Sequence, residues 1–150
     1  MIHTAEQRDI DSIVTMLMAF HEEGGFSEFG PFDTDGVREM LSAWVQCKEV
    51  VVLVAKGDKG EHLGACAAIM YPLWYSKAVI AAGDLFWWVK PSSRGSGVGA
   101  ALLKGLEDEL SSLGCVRLLM GVSDELSAAA GAGLVRAGFS KFRDVFTKEL

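Results

Sequence analysis

Apolar side chains recur at helical spacing in several stretches of the chain and predict four helices. The first is predicted from about Glu6 to Glu22, and the second follows a capping residue at Asp33. A third is predicted from about Val98 to Leu113 and a short fourth over 127–137, and Gly114 and Gly138 end these two helices. The apolar faces of the first three helices consist of Ile10, Ile13, Val14, Leu17 and Met18, of Val37, Met40, Leu41, Trp44 and Val45, and of Val98, Ala101, Leu102, Leu106, Leu110 and Leu113.

Runs of β-branched and other apolar residues predict five strands. Val50–Ala55 and His62–Tyr71 flank a glycine-containing turn and form a hairpin, which Pro72 interrupts. Because this hairpin precedes a strand–helix–strand unit, the order of elements predicts an α/β fold of the α+β type, with a mixed sheet instead of a purely parallel one. The other strands are predicted at Ala78–Val89, at Cys115–Met120 and in a final segment that contains Phe142, Val145 and Phe146.

Length and charge narrow the class of protein. The chain has 150 residues, half of them apolar, which fits a single domain over 1–150. The net charge of −6 argues against a nucleic-acid partner. No apolar run is long enough to span a bilayer, and no signal peptide is visible, so no membrane association and a cytoplasmic location are expected. Three widely spaced cysteines, Cys47, Cys66 and Cys115, are expected to be reduced thiols, and no motif predicts a metal site.

The segment that joins the strand ending at Val89 to the third helix carries the clearest chemical signal. Gly95, Gly97 and Gly99 alternate there behind Arg94, and bare backbone N–H groups at a helix N-terminus favour phosphate. A P-loop is excluded because no GK[ST] sequence closes the segment. A dinucleotide-binding fingerprint is matched formally by Gly95, Gly97 and Ala100, and a nicotinamide dinucleotide therefore stays an alternative, as does a purely structural turn.

The same segment resembles the signature Q/R-x-x-G-x-G/A of the GCN5-related N-acetyltransferase (GNAT) family. The match is Arg94–Gly99, preceded by the V-x-P step at Val89–Pro91 and followed later by Ala137, Gly138 and Phe139 at the family's usual GF step. The resemblance implies the GNAT fold. That fold has a central, twisted, mostly antiparallel sheet, a cofactor-binding unit made of the fourth strand and third helix, and parallel strands that splay apart.

The resemblance also implies an acetyl-CoA-dependent N-acetyltransferase that acts on a primary amine of a small molecule or peptide. The glycine turn would hold the pyrophosphate, and the preceding strand would pair with the pantetheine arm as an added strand. A β-bulge near the end of that strand would aim an N–H at the thioester carbonyl. A homodimer remains open, and no metal is implied. The cofactor-binding residues implied are Trp87, Trp88, Val89, Arg94, Gly95, Ser96, Gly97, Val98, Gly99 and Ala100.

Two polar residues are candidates for catalysis. Asp84 precedes the apolar end of the strand and would share a face with Phe86 and Trp88 if strict alternation holds, so it is the candidate general base. The family's usual tyrosine, which protonates the leaving thiolate, is replaced here by Leu134. Ser127, Ser123 or a water is left to supply that proton, and Ser127 stands where many relatives have an asparagine.

In the family, the first two helices and the loop that connects them line the site of the acceptor amine, and the resemblance implies the same here. Glu22, Glu23 and Phe26 are the candidate substrate-binding residues, because carboxylates beside aromatic rings suit a cationic amine. A solvated helix end is the alternative interpretation of the same residues. The departures at Leu134 and Ser127 keep open a second class of function, a catalytically weak CoA-binding module of the same fold.

Overall fold

A computed structural model describes residues 1–123, 127–143 and 145–149, with the side chain of residue 127 left out. These residues form a five-stranded sheet and four α-helices in the predicted mixed α/β arrangement. None of the described helices is both long and apolar enough to cross a membrane. In chain order the elements are β1 (Ile2–Thr4), α1 (Ile10–Glu23), α2 (Thr34–Trp44), β2 (Val50–Lys56), β3 (His62–Leu73), β4 (Ser76–Val89), α3 (Val98–Ser112), β5 (Cys115–Leu119) and α4 (Ser127–Arg136).

The sheet is ordered β1-β2-β3-β4-β5, with antiparallel pairing except between β4 and β5, which are parallel. Its two faces carry separate apolar clusters. One cluster packs α1 and α2 against Val52, Val54, Phe86 and Trp88, and the other packs α3 against Val51, Leu53 and Cys66 (Ala82 and Val89 also belong to it). The continuous apolar run of β2 is therefore explained by burial on both faces.

A β-bulge in β4 sets the direction of the side chains near the end of that strand. Ala67 of β3 is paired with Phe86, and the next residue, Ala68, with Asp84, so Leu85 is the extra residue. Leu85 and Phe86 both pack on the α1 and α2 side, whereas Ala68 belongs to the α3 side. The expectation that Asp84 shares a face with Phe86 and Trp88 is wrong, because the extra residue reverses the alternation.

Two other expectations about strands need correction. Pro72 does not end β3, which continues to Leu73. No strand forms among the described residues after α4, and Phe142 and Phe146 are 82% and 91% exposed. Their alternation suits a strand, but strand pairing needs a partner edge, and none is supplied to residues 140–143 or 145–149 within the described chain.

A buried carboxylate anchors the start of α1 to the hairpin ends of β2 and β3. Asp9 is only 2% exposed, and its Oδ1 lies 2.5 Å from Lys56 Nζ and 2.9 Å from His62 Nε2. Its Oδ2 accepts the backbone N–H of Glu6 at 3.0 Å. Burial by itself would raise the pKa of Asp9, but the hydrogen bonds from Lys56, Glu6 and His62 outweigh it and lower the pKa to about 2.

Substitution of Asp9 by asparagine is expected to destabilise the fold by roughly 2–4 kcal/mol, because Lys56 loses its buried counter-charge. The folded pKa lies below the unfolded value, so the contribution of Asp9 is present above about pH 4 and is lost as the pH falls toward 2. Urea denaturation between pH 7 and pH 2 should show the two proteins converging at the acid end. Asp11→Asn, at an exposed ion pair on the same helix, is the control and should cost under about 1 kcal/mol.

Candidate active site

The parallel strands β4 and β5 separate partway along β4. Their last paired residues are Gly83 and Leu119, and the stretch from Asp84 to Val89 has no partner in β5. Lys90 donates its N–H to Leu63 of β3, so by alternation the N–H groups of Val89 and Trp87 point the other way, toward the opening. The fold thus leaves one edge of β4, beyond Gly83, free to pair with an extended ligand.

This opening leads into a cavity of about 550 Å³ between β4, the glycine turn, α3 and α4. Eight of the ten residues predicted to bind the cofactor line it; Ser96 and Val98 do not. Ser96 instead donates its hydroxyl to the carbonyl of Ser93 at 2.6 Å, and Val98 packs beside the α3 cluster. The lining is formed by Trp87, Trp88, Val89, Arg94, Gly95, Gly97, Gly99, Ala100, Leu103, Ala129, Ala130, Gly133, Arg136 and Ala137.

The glycines of the turn serve two different purposes. Gly95 and Gly97 have φ angles of 79° and 90°, in the left-handed region, and a Cβ at either would meet no atom within 4 Å. Gly97 is the N-cap of α3, and no side chain caps that helix, so its first N–H groups are free to face an anion. Gly99 allows close packing, because a Cβ there would lie 3.2 Å from the ring of Trp87, a contact tight enough to make the ring shift by a few tenths of an ångström.

The two tryptophans of β4 point to opposite faces of the sheet. Trp87 lies against α3 and α4: its Nε1 donates to the carbonyl of Gly99 at 3.3 Å, and a Cβ on Gly133 would lie 3.4 Å from its ring. Trp88 is buried in the α1 and α2 cluster. The ring of Trp87 therefore packs beside the cavity and that of Trp88 belongs to the core, and ligand contact by either ring stays a prediction.

Arg94 braces the turn and connects it to the end of α1. Its Nε donates to the carbonyl of Val89 at 2.9 Å, and its Nη2 lies 2.5 Å from Glu23 Oε2. The same carboxylate oxygen accepts from Trp88 Nε1 at 3.2 Å, and the guanidinium stands 5.7 Å from the centroid of the Trp88 ring. Glu23 thus links Arg94 to Trp88, and its role in substrate binding stays a prediction.

Asp84 lies where β4 leaves β5. Its Oδ1 accepts the N–H of Gly121, in the segment that follows β5, at 3.0 Å. Burial raises the pKa of Asp84, and the hydrogen bond from Gly121 offsets this only in part. Asp84 is not among the residues that line the cavity; it is the first residue of β4 without a partner in β5. A carboxylate with a raised pKa is a better proton acceptor near neutral pH than one with the ordinary value.

The residues considered as sources of the proton for the leaving thiolate are Ser127, the position of Leu134, and Ser123. Ser127 begins α4, but its side chain lies outside the described residues. Leu134 is buried and does not line the cavity, so the usual tyrosine position offers no proton. The hydroxyl of Ser123, two residues beyond Gly121, is buried and has no hydrogen-bond partner within the described chain. An unpaired buried hydroxyl calls for a ligand or water, so Ser123 stays a candidate proton donor.

The proposed acceptor residues lie around the end of α1. Glu22 and Glu28 are exposed, Phe29 is 70% exposed, and Phe26 packs against Phe20 with ring centroids 5.1 Å apart. Phe26 is therefore a packing residue of this loop. No group of three or more potential metal ligands occurs in the described part of the chain.

Sequence reasoning missed the contribution of α4 to the cavity. Ala129, Ala130, Gly133, Arg136 and Ala137 line one wall. Their spacing of three and four residues places them on one helical face, and small residues on that face leave room beside β4. This pattern is visible in the sequence, but only the fold shows that the face turns toward the glycine turn.

Comparisons with known proteins agree with this geometry. A sequence model of the acetyltransferase (GNAT) family matches residues 12–139. The chain is 32% identical over 112 residues to an aminoglycoside N(6')-acetyltransferase type 1 from Klebsiella aerogenes, a match that covers 73% of this chain and 71% of that protein.

Solved structures share the fold at much lower identity. A mutant of the BH1408 protein from Bacillus halodurans superimposes with a TM-score of 0.84, and a ribosomal-protein-alanine N-acetyltransferase from Brucella melitensis biovar Abortus 2308 with a TM-score of 0.76. Both are 15% identical to this chain, and both matches cover 100% of this chain and 99% of the other. At this identity the likeness shows a common fold alone.

Proposed function

The chain belongs to the GNAT acetyltransferase family, and we propose that it transfers an acetyl group from acetyl-CoA to a primary amine of a small molecule or peptide. The observation that carries the proposal is the cavity between β4, the glycine turn and α4, which combines a free strand edge with an uncapped helix N-terminus. A donor with an amide-containing arm and a phosphate group needs these two features together.

The free edge of β4 supports a particular arrangement of the donor. The N–H groups of Val89 and Trp87 would pair with the pantetheine amides, and the N–H groups at Gly97 and the start of α3 would hold the pyrophosphate. The bulge at Leu85 comes one residue after Asp84, and a donor paired with the free edge of β4 would bring its reacting carbonyl toward this end of the unpaired stretch. Arg94 would act through the turn that it braces, since its guanidinium is already paired with Glu23.

Asp84 and Ser123 are the residues proposed for proton transfer. Asp84 would take a proton from the amine nitrogen as that nitrogen bonds to the thioester carbon. The carbon–sulfur bond then breaks, and the departing thiolate takes a proton from the unpaired hydroxyl of Ser123 or from water. The acetylated amine and a free thiol are the products. The proton on Asp84 returns to solvent, and where Ser123 is the donor its hydroxyl is reprotonated from solvent, so that both residues regain their starting state.

A cationic acceptor is favoured by charge. The protein carries a net charge of −6, and Glu22 and Glu28 are exposed beside Phe29 at the end of α1. Carboxylates attract a positively charged amine, and an exposed ring adds a cation–π contact worth about 0.5–1 kcal/mol. The aminoglycoside specificity in the name of the Klebsiella relative is consistent with an acceptor that carries several amines.

The test is turnover with a panel of amines. Purified protein with acetyl-CoA and an aminoglycoside, a polyamine or a lysine-containing peptide should release free thiol only when donor and acceptor are both present, and mass spectrometry should find the acetylated amine. Tight CoA binding without thiol release across the panel would instead favour the catalytically weak CoA-binding module. Thermal stabilisation by NAD but not by CoA would contradict both.

A further inference from the structure

Two arginines are the charged side chains in the described lining of the cavity, and they differ in their partners. Arg94 is neutralised by Glu23 and also bonds a backbone carbonyl. Arg136, in the last turn of α4, lies within 4 Å of no carboxylate oxygen in the parts of the chain that the structure describes, which include Glu23 and the whole of α3. One wall of the cavity therefore presents a cation without a counter-charge.

The side chain of Arg136 lies along the cavity face of α4. A Cβ on Gly133 would lie 4.0 Å from Arg136 Nη2 and 3.4 Å from the ring of Trp87. The absence of a side chain at Gly133 thus leaves space between α4 and Trp87, and the guanidinium borders that space. An arginine that served only the helix dipole would need no such gap next to it.

The charge of the rest of the protein strengthens the case that Arg136 faces an anionic ligand. The chain has 14 basic and 20 acidic residues, yet no acidic residue lines the cavity as described. A guanidinium offers a fork of N–H donors that matches phosphate oxygens two at a time. An uncompensated arginine in a cleft of an acidic protein is the arrangement expected where a ligand supplies the negative charge.

We propose that Arg136 binds a phosphate group of the acyl donor from the α4 side of the cavity, across from the glycine turn. This inference rests on the proposed function, since it assumes that the donor is a phosphate-bearing thioester. The glycine turn contributes backbone N–H groups there, and Arg136 contributes the charge that Arg94 does not, because Arg94 is committed to Glu23.

The experiment compares Arg136→Gln with the unaltered protein by isothermal titration of CoA and of pantetheine, which lacks every phosphate. Arg136→Gln should weaken CoA binding by about tenfold or more and leave the weak binding of pantetheine unchanged. The affinity of the unaltered protein for CoA should also fall more steeply with added salt than that of the variant. Dephospho-CoA, which lacks the 3′-phosphate, then locates the contact. If Arg136→Gln also weakens the binding of dephospho-CoA, Arg136 contacts the pyrophosphate. If the variant binds dephospho-CoA as well as the unaltered protein does, Arg136 contacts the 3′-phosphate.

Arg117→Gln is the matched control, because it removes the same charge at an exposed position of β5 outside the cavity. It should bind CoA like the unaltered protein. Binding of CoA by Arg136→Gln within twofold of the unaltered protein would overturn the inference, and so would an equal loss for CoA and pantetheine, which indicates packing. If the unaltered protein itself does not bind CoA, the proposed function fails first, and the two failures are thereby distinguished.

Discussion

Replacement of Gly97 by aspartate is expected to abolish CoA binding while the fold persists. Gly97 is the N-cap of α3 with φ at 90°, and its backbone faces the cavity. A carboxylate there would occupy the position proposed for the pyrophosphate and repel it, and it would itself accept the free N–H groups of the first helical turn. We expect a loss in affinity of about 100-fold or more, measured by titration calorimetry.

The control for Gly97 must reproduce the backbone strain without the charge at the site. Gly60, in the turn between β2 and β3, has φ at 82° and equally open surroundings, and it lies outside the cavity. Gly60→Asp should lose a similar amount of stability, about 1–2 kcal/mol for a left-handed residue with a Cβ, and bind CoA normally. If both variants bind CoA as the unaltered protein does, the turn does not hold the pyrophosphate.

The elements near the glycine turn could be predicted because local and tertiary requirements coincide there. The helix from Val98, the strand ending at Val89 and the cap at Asp33 each follow from short-range periodicity or capping, and the structure contains all three. The order of elements predicts the mixed sheet, because a hairpin gives antiparallel neighbours and a strand–helix–strand unit gives parallel ones, and the GNAT resemblance implies the same fold. The family match and the fold confirm that assignment.

What the sequence could not supply depends on contacts between residues distant along the chain. The family resemblance implies a bulge near the end of β4, but its position at Leu85 is defined by the register against Ala67 and Ala68, and no local pattern marks that residue. The pairing of Glu23 with Arg94 joins positions 71 residues apart, so Glu23 could be interpreted only as a charged helix end. Phe142 and Phe146 show the opposite case. Their pattern is typical of a strand, but they are exposed and form no strand, because the described chain offers them no partner edge.

These long-range contacts determine where Asp84 lies and what holds it in place. Because of the bulge, Asp84 lies on the α3 face with Ala68, away from the Phe86 face, and it is fixed by Gly121 from the segment after β5. Asp84 is therefore the first residue of β4 beyond the point where the two strands separate. The sequence could identify the residue, but its accessibility to an amine depends on where the strands separate.

Asp84→Asn is accordingly expected to lower kcat by about 100-fold or more while CoA affinity changes little. Asparagine retains an oxygen that can accept the N–H of Gly121, so the link between β4 and the segment after β5 is preserved. A general base acts only when deprotonated, so kcat of the unaltered protein should fall as the pH drops through the raised pKa of Asp84. The variant should lack that acid limb, and pH–rate profiles at saturating donor measure the difference.

Asp108→Asn, at an exposed ion pair on α3, is the control and should leave the profile unchanged. If Asp84→Asn keeps kcat within about threefold and retains the acid limb, the proton passes to another group and Asp84 serves only to hold Gly121.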